Sequence, residues 1–203
     1  MRILLDWVSA DSVSTGTGWM ALAADLVATG LVDLHVLDRR SGAGPLPAIS
    51  SLPGALIKFP GYQHRFAAAD SLLIQAVADQ VAADVFLTTG FTTPTRTASA
   101  AFCLPWMLET IRHGEARAGY EVRLNLLHAA HIFCDAWPTF VDLTALVPGV
   151  ARSSVSVIGG RRAHGRQVVD VLDRLQRIAA DGGGMTMGPA WHTVRALQRE
   201  LDD

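Results

Sequence analysis

Apolar residues in this chain come in short runs, and between the runs lie stretches with helical spacing; the alternation holds from the first residues to about residue 160. Ile3-Leu4-Leu5, closed by Asp6, reads as a first buried strand. Residues 19–29 put Met20, Ala23, Ala24 and Val27 at helical spacing, and Gly30 supplies a stop. Leu34 to Asp38 is a second strand, residues 39–53 a loop rich in Gly, Pro and Ser, and Ala55 to Phe59 a third strand closed by Pro60-Gly61. A helix follows over 65–81, with Leu72, Leu73, Ala76 and Val77 as its apolar side. Asp84 to Thr88 and Ser99 to Cys103 are the fourth and fifth strands. Then come a helix over 119–128, a strand at His131 to Cys134, a helix over 138–146 and a last strand at Ser154 to Ile158, ended by Gly159-Gly160. An amphipathic helix over 168–180 is broken by Asp181-Gly182-Gly183-Gly184, and a final helix covers 191–201.

Strands that alternate with helices predict an α/β fold: a doubly wound, mostly parallel, Rossmann-like sheet with C-terminal helices. The expected division is a domain over residues 1–160 and a helical extension over 161–203. Such sheets bind ligands beyond the carboxyl ends of their strands. The loops after Asp6, Thr88, Cys103 and Cys134 are therefore where chemistry is expected.

Composition narrows this in a few places. Hydrophobic residues make up 50% of the chain and charged residues 18%, with a mean hydropathy of +0.27. That suits strands buried on both faces. A chain of 203 residues buries roughly 70% of its unfolded surface and needs no disulfide or metal staple. The net charge of −2 argues against nucleic acid as a partner. Cys103 and Cys134 both end apolar runs, as buried reduced thiols of a cytoplasmic protein do. Arg2 is followed by a short strand-like run rather than a leader, and no apolar run nears the roughly 20 residues of a transmembrane segment. A cytoplasmic location is expected.

Two motifs carry candidate chemistry. Ser14-Thr15-Gly16-Thr17-Gly18-Trp19 puts glycines before a helix start, where backbone N–H groups and the helix dipole favour an oxyanion or a sugar hydroxyl. Gly16-x-Gly18-x-x-Ala21 also fits a dinucleotide fingerprint, with Asp38 twenty residues after Gly18 as the ribose acid. In that fingerprint the first glycine follows the strand at once, whereas nine residues, Trp7 to Thr15, intervene here. A plain turn and helix cap is the third reading. The second motif, Asp84 to Pro94, runs a strand into a threonine-rich loop whose hydroxyls, Thr92 and Thr93 among them, can donate to and accept from sugar hydroxyls. An ordinary Ser/Thr turn before Pro94 explains the same residues.

Smaller constellations read as follows. His128 and His131 stand three apart but have no third ligand in view, so metal binding is not expected. Arg161, Arg162 and Arg166, around His164, can hold a phosphate or form a solvated cluster. Trp106 and Met107 can stack on a sugar or dock a partner. Trp137 and Trp191 read as packed in the core or along a helix. Nucleophile elbow, lysine-bearing phosphate loop and zinc pattern are all missing from the sequence.

The order of these pieces carries a resemblance. A first strand ending in Asp6 leads to the Thr-Gly-Thr-Gly loop. Asp84-Val85-Phe86-Leu87-Thr88 then leads to Phe91-Thr92-Thr93-Pro94, a strand runs into a loop containing Glu109, and Ser154-Val155-Ser156-Val157-Ile158 follows after a helix. Over residues 1–160 this resembles the N-terminal domain of the family-4 retaining glycosyltransferases of GT-B fold. It is most similar to the mannosyltransferase-like members that make bacterial surface polysaccharides.

The resemblance implies an acceptor-side domain for transfer of a hexose from a nucleotide-sugar, the latter as substrate and with no resident cofactor. Gly16, Thr17, Gly18 and Trp19 would lie near the donor phosphates, and the strand-end loop from Phe102 to Glu109 would line the acceptor site. Glu109 and Asp135 would orient acceptor hydroxyls. Arg161 and Arg162 would stand in for bases of a donor domain that the sequence does not carry, so a donor-domain partner or a second copy is expected. The sequence departs from the family at Pro105, where the family has an Asp, and at Cys134, where a serine usually ends the strand. Two alternatives stay open: a non-catalytic descendant that binds a glycan or a protein, and a small nucleotide-cofactor protein using Gly16, Gly18 and Asp38.

Overall fold

The computed structural model describes residues 1–7, 16–38, 56–58, 68–88, 93–158 and 165–181. Strands β1 (Arg2–Trp7), β2 (Asp33–Asp38), β4 (Val85–Thr88), β5 (Ser99–Cys103), β6 (His131–Cys134) and β7 (Val155–Val157) form an all-parallel sheet, extended at one edge by the short β3 (Leu56–Lys58). The order is β3-β2-β1-β4-β5-β6-β7. It reverses direction between β1 and β4, which makes a Rossmann-like switch point there. The doubly wound α/β class expected from the sequence is the one observed.

The helices are α1 (Gly16–Ala28), α2 (Ala68–Gln80), α3 (Pro105–His113), α4 (Ala116–His128), α5 (Trp137–Leu146) and α6 (Gly165–Asp181). Right-handed crossovers put α1 on one face and α2 to α5 on the other. Helix α6 returns to the first face, where it touches α1, β4 and β5. Along each strand the side chains alternate between the two faces. Ile3, Leu5, Val85 and Leu87 join the core cluster that includes α1 and α6, whereas Leu4, Leu37 and Phe86 pack with Ile74 and Ala78 of α2.

Local chemistry sets the element ends. Gly30 adopts φ 72 just past α1, and its N–H donates to Val27 O at 2.9 Å, as the expected glycine stop requires. Helix α6 buries Val168, Val171, Leu172, Leu175 and Ile178, a stripe spaced three and four apart.

Three expectations are corrected. Phe102 to Glu109 was expected as a strand-end loop, but α3 begins at Pro105. Proline is accepted in the first turn because its missing N–H would have no helical partner there, and Met107 and Leu108 bury the helix against the core. Helix α4 starts at Ala116 rather than at residue 119, with Gly119 inside it. A Cβ at Gly119 would lie 3.2 Å from Thr110 O and 3.3 Å from the Ile111 Cα, so the glycine lets α4 approach α3 closely. On α2 the buried face is Ser71, Ile74, Gln75 and Ala78, while Leu72 and Leu73 are 63% and 52% exposed. The loop 39–53 and the helix expected over 191–201 lie outside the described residues.

Candidate functional site

The parallel order brings the ends of β1, β2, β4, β5 and β6 to one rim. At the switch point Asp6 and Thr88 are register partners, both fully buried. Asp6 continues the row of Leu4, and Thr88 the row of Phe86. Beside them Asp38 ends β2 in register with Trp7, and Gly16, Thr17, Gly18 and Trp19 form the first turn of α1. The backbone of this corner is thus strand, helix N-terminus and strand-end acid in sequence, the layout in which a helix start meets an anionic group. Thr93 is half-buried beyond β4. Thr92, Arg161 and Arg162, together with Arg166 as a side chain, lie outside the described residues.

On the other half of the rim, Cys103 and Cys134 are register partners at the ends of β5 and β6, fully buried and not in a disulfide. The hydrogen bond between the two thiols, reinforced by burial, pushes the Cys103 thiol far above its ordinary range. Both sulfurs are packing groups of the β5–β6 rim, and the Cys103 thiolate is scarce.

Asp135 follows directly. Its Oδ1 accepts a hydrogen bond from Thr139 Oγ1, which braces the first turn of α5. Its Oδ2 has no hydrogen-bond partner among the described residues. Trp137, two residues on, is 63% exposed and stacks on Phe140 with centroids 4.8 Å apart and planes 22° apart. The sequence reading put this indole in the core or along the helix. It lies along the helix, but on the outside, at the rim.

Glu109 has a different setting. The helix start at Pro105 lifts it onto the exposed side of α3, where Oε1 accepts from Arg112 Nη1 at 2.9 Å. The same guanidinium reaches Asp142 of α5 through Nη2 at 2.7 Å, and His113 Nε2 lies 3.7 Å from Glu109 Oε2. Glu109 therefore belongs to a bridge that ties α3 to α5, and no interaction joins it to Asp135. Trp106 is half-buried and packs against the core.

His128 closes α4 and His131 opens β6. His131 Nε2 lies 2.9 Å from Ser156 Oγ. Burial, with a smaller push from Arg174, lowers its pKa to about 4. The described residues contain no group of three or more His, Cys, Asp or Glu placed to hold a metal ion. No helix among them is long and apolar enough to cross a membrane.

No family model matches the chain, and neither does any curated protein. What the rim offers chemically is an anion-favouring helix start at the switch point and, about two strands away, a carboxylate beside an exposed indole.

Proposed function

We propose that this chain is the acceptor-side domain of a sugar-transfer system, in which a hexose passes from a nucleotide-sugar to a carbohydrate during polysaccharide or glycoconjugate synthesis. The observation that carries the reading is that Asp135 and the exposed Trp137 stand two residues apart where β6 passes into α5 at the carboxyl rim. A sugar ring shows an apolar face and a girdle of hydroxyls, so an indole and a nearby carboxylate oxygen meet both at once. The start of α1 supports the donor side: its backbone N–H groups at Gly16 to Trp19 suit a diphosphate that gains charge as the sugar departs. The donor sugar itself would be held by a partner domain or a second copy, with the fold resembling half of a GT-B enzyme.

A second reading is favoured by one observation. Glu109, the acid that matches the glycosyltransferase pattern, is held in the Arg112–Asp142 bridge and not turned toward Asp135. A descendant that binds glycan without chemistry needs the Trp137 corner and not Glu109.

Titration of the chain with mannose- and glucose-containing oligosaccharides, followed by Trp fluorescence and calorimetry, tests the shared part of both readings. Binding is expected to fall about tenfold in Trp137→Ala, the loss of roughly 1.4 kcal/mol. Oligosaccharide binding that Trp137→Ala and Asp135→Asn leave intact would remove the rim as a glycan site.

A further inference from the structure

Helix α6 lies over β4 and β5, and its outer flank faces the neighbouring strands β6 and β7. Between flank and strands runs an open cleft of about 380 Å³, lined by α6 and by Phe133, Ser156, Val157 and Ile158. The volume is at the low end of the range of about 300–1,000 Å³ that holds small molecules.

The lining is ordered along the cleft. Helix α6 supplies Gln167, Asp170, Arg174 and Arg177, spaced three or four apart and so on one stripe. Gln167 lies near the start of α6, which follows the carboxyl end of β7 in the chain. Arg174 lies near enough to His131, the first residue of β6, to disfavour its protonation. Amide and carboxylate therefore stand toward the carboxyl end and the guanidinia toward the amino end. Asp170 precedes Arg174 by four residues, the orientation in which a helical ion pair closes most readily. Even so, neither Arg174 nor Arg177 makes an ion pair or hydrogen bond among the described residues. Both cations line the cleft beside Asp170 and Asp173 without closing a bridge to either.

We propose that this cleft binds a small phosphorylated polyol of hexose phosphate size, its phosphate on Arg174 and Arg177 and its hydroxyls on Asp170 and Gln167. Two guanidinium forks are matched in shape and charge to phosphate oxygens. Ser156 adds a hydroxyl at the same end: with His131 Nε2 as donor to Ser156 Oγ across their 2.9 Å contact, the serine O–H is left to donate to the ligand. A carboxylate and an amide are acceptor and donor for sugar hydroxyls, and Phe133 closes the floor. Asp173, which also lines the cleft, repels a second anionic group and so orients the ligand. Inorganic phosphate would use only one end of this site, and a neutral sugar only the other. The site does not depend on the glycan reading of the rim.

Isothermal titration of the full chain with glucose 6-phosphate, ribose 5-phosphate, glycerol 3-phosphate, inorganic phosphate and glucose tests it. At least one phosphorylated polyol is expected to bind about tenfold or more tighter than either phosphate or glucose alone, a difference of about 1.4 kcal/mol. Arg174 and Arg177 are exposed, so Arg174→Ala/Arg177→Ala leaves the core in place, and unchanged circular dichroism would verify that. This variant is expected to lose the phosphorylated ligand and phosphate together. Asp170→Ala is expected to weaken the phosphorylated polyol and glucose while leaving inorganic phosphate bound. No binding by any of the three phosphate esters up to about 10 mM, where a Kd of about 1 mM would register, overturns the proposal. So does binding that the double arginine variant leaves unchanged, or phosphate binding as tight as its esters, which would mark a bare anion site.

Discussion

The Gln75 side chain takes the place of a missing helix for Thr97: its Oε1 accepts the Thr97 backbone N–H at 3.0 Å, and its Nε2 donates to Thr97 Oγ1 at 3.0 Å. The connection from β4 to β5 has no helix among its described residues, so its backbone groups need partners from elsewhere. Gln75 also accepts the Arg96 N–H at 2.6 Å and donates to Asp79 at 2.8 Å. This one buried amide explains why α2 turns Gln75 inward and leaves Leu72 and Leu73 outside.

Gln75→Ala would leave the partly buried backbone donors of Arg96 and Thr97 without their acceptor. A loss of about 1–2 kcal/mol is expected, since a fully buried unsatisfied donor costs roughly 1–3 kcal/mol and these are only partly buried. The urea midpoint should fall with the m-value unchanged. A loss below about 0.5 kcal/mol would mean that the connection rests on other contacts.

His131 gives the fold a pH dependence of definite sign. Its pKa is lowered from an ordinary 6.5 to about 4 in the folded chain. Between those values the unfolded chain binds the proton and the folded chain does not, so stability falls as pH drops. The contribution is intact above about 6.5 and fully lost near 4. Half-buried His128, lowered by burial, acts in the same direction. Urea midpoints measured between pH 7.5 and 4.5 should decline, and His131→Asn should flatten part of the decline (asparagine can still bond Ser156). An identical slope in the variant would show that carboxylates alone set it.

The thiols make a chemical prediction. Cys103 and Cys134 are fully buried, and the raised pKa of Cys103 keeps its thiolate scarce. Iodoacetamide at pH 7.5 should label neither in the native chain and both in urea, as read by mass spectrometry. Rapid native labelling of either residue would contradict the packing of the β5–β6 rim.

Much of the sheet was legible because parallel strands buried on both faces leave unbroken apolar runs, as at Ile3-Leu4-Leu5 and Val85-Phe86-Leu87. Gly30 was legible for a local reason, since only the chain's own φ decides it. The misreadings came where tertiary contacts override local pattern. Pro105 looked like a loop residue and opens a helix. Leu72 and Leu73 looked like a core face, but Gln75 had the stronger claim to the interior. Trp137 looked like packing because indoles are mostly apolar, and nothing in its neighbours shows that the rim leaves it exposed. Glu109 was legible as an acid in the right order of pieces. Its Arg112 partner three residues later was a helix signal that the loop reading of the segment hid.

The most direct test of the account is hexose transfer from a nucleotide-sugar to an oligosaccharide acceptor. It should be assayed with the chain dilute, with the chain concentrated enough to pair with itself, and with a donor-binding protein co-expressed. Turnover is expected in at least one of the last two conditions. Trp137→Ala and Asp135→Asn are each expected to lower turnover about tenfold, roughly 1.4 kcal/mol of transition-state stabilisation, without a matching loss of fold. Absence of turnover in every condition would contradict the transfer reading, and turnover indifferent to both substitutions would contradict the site.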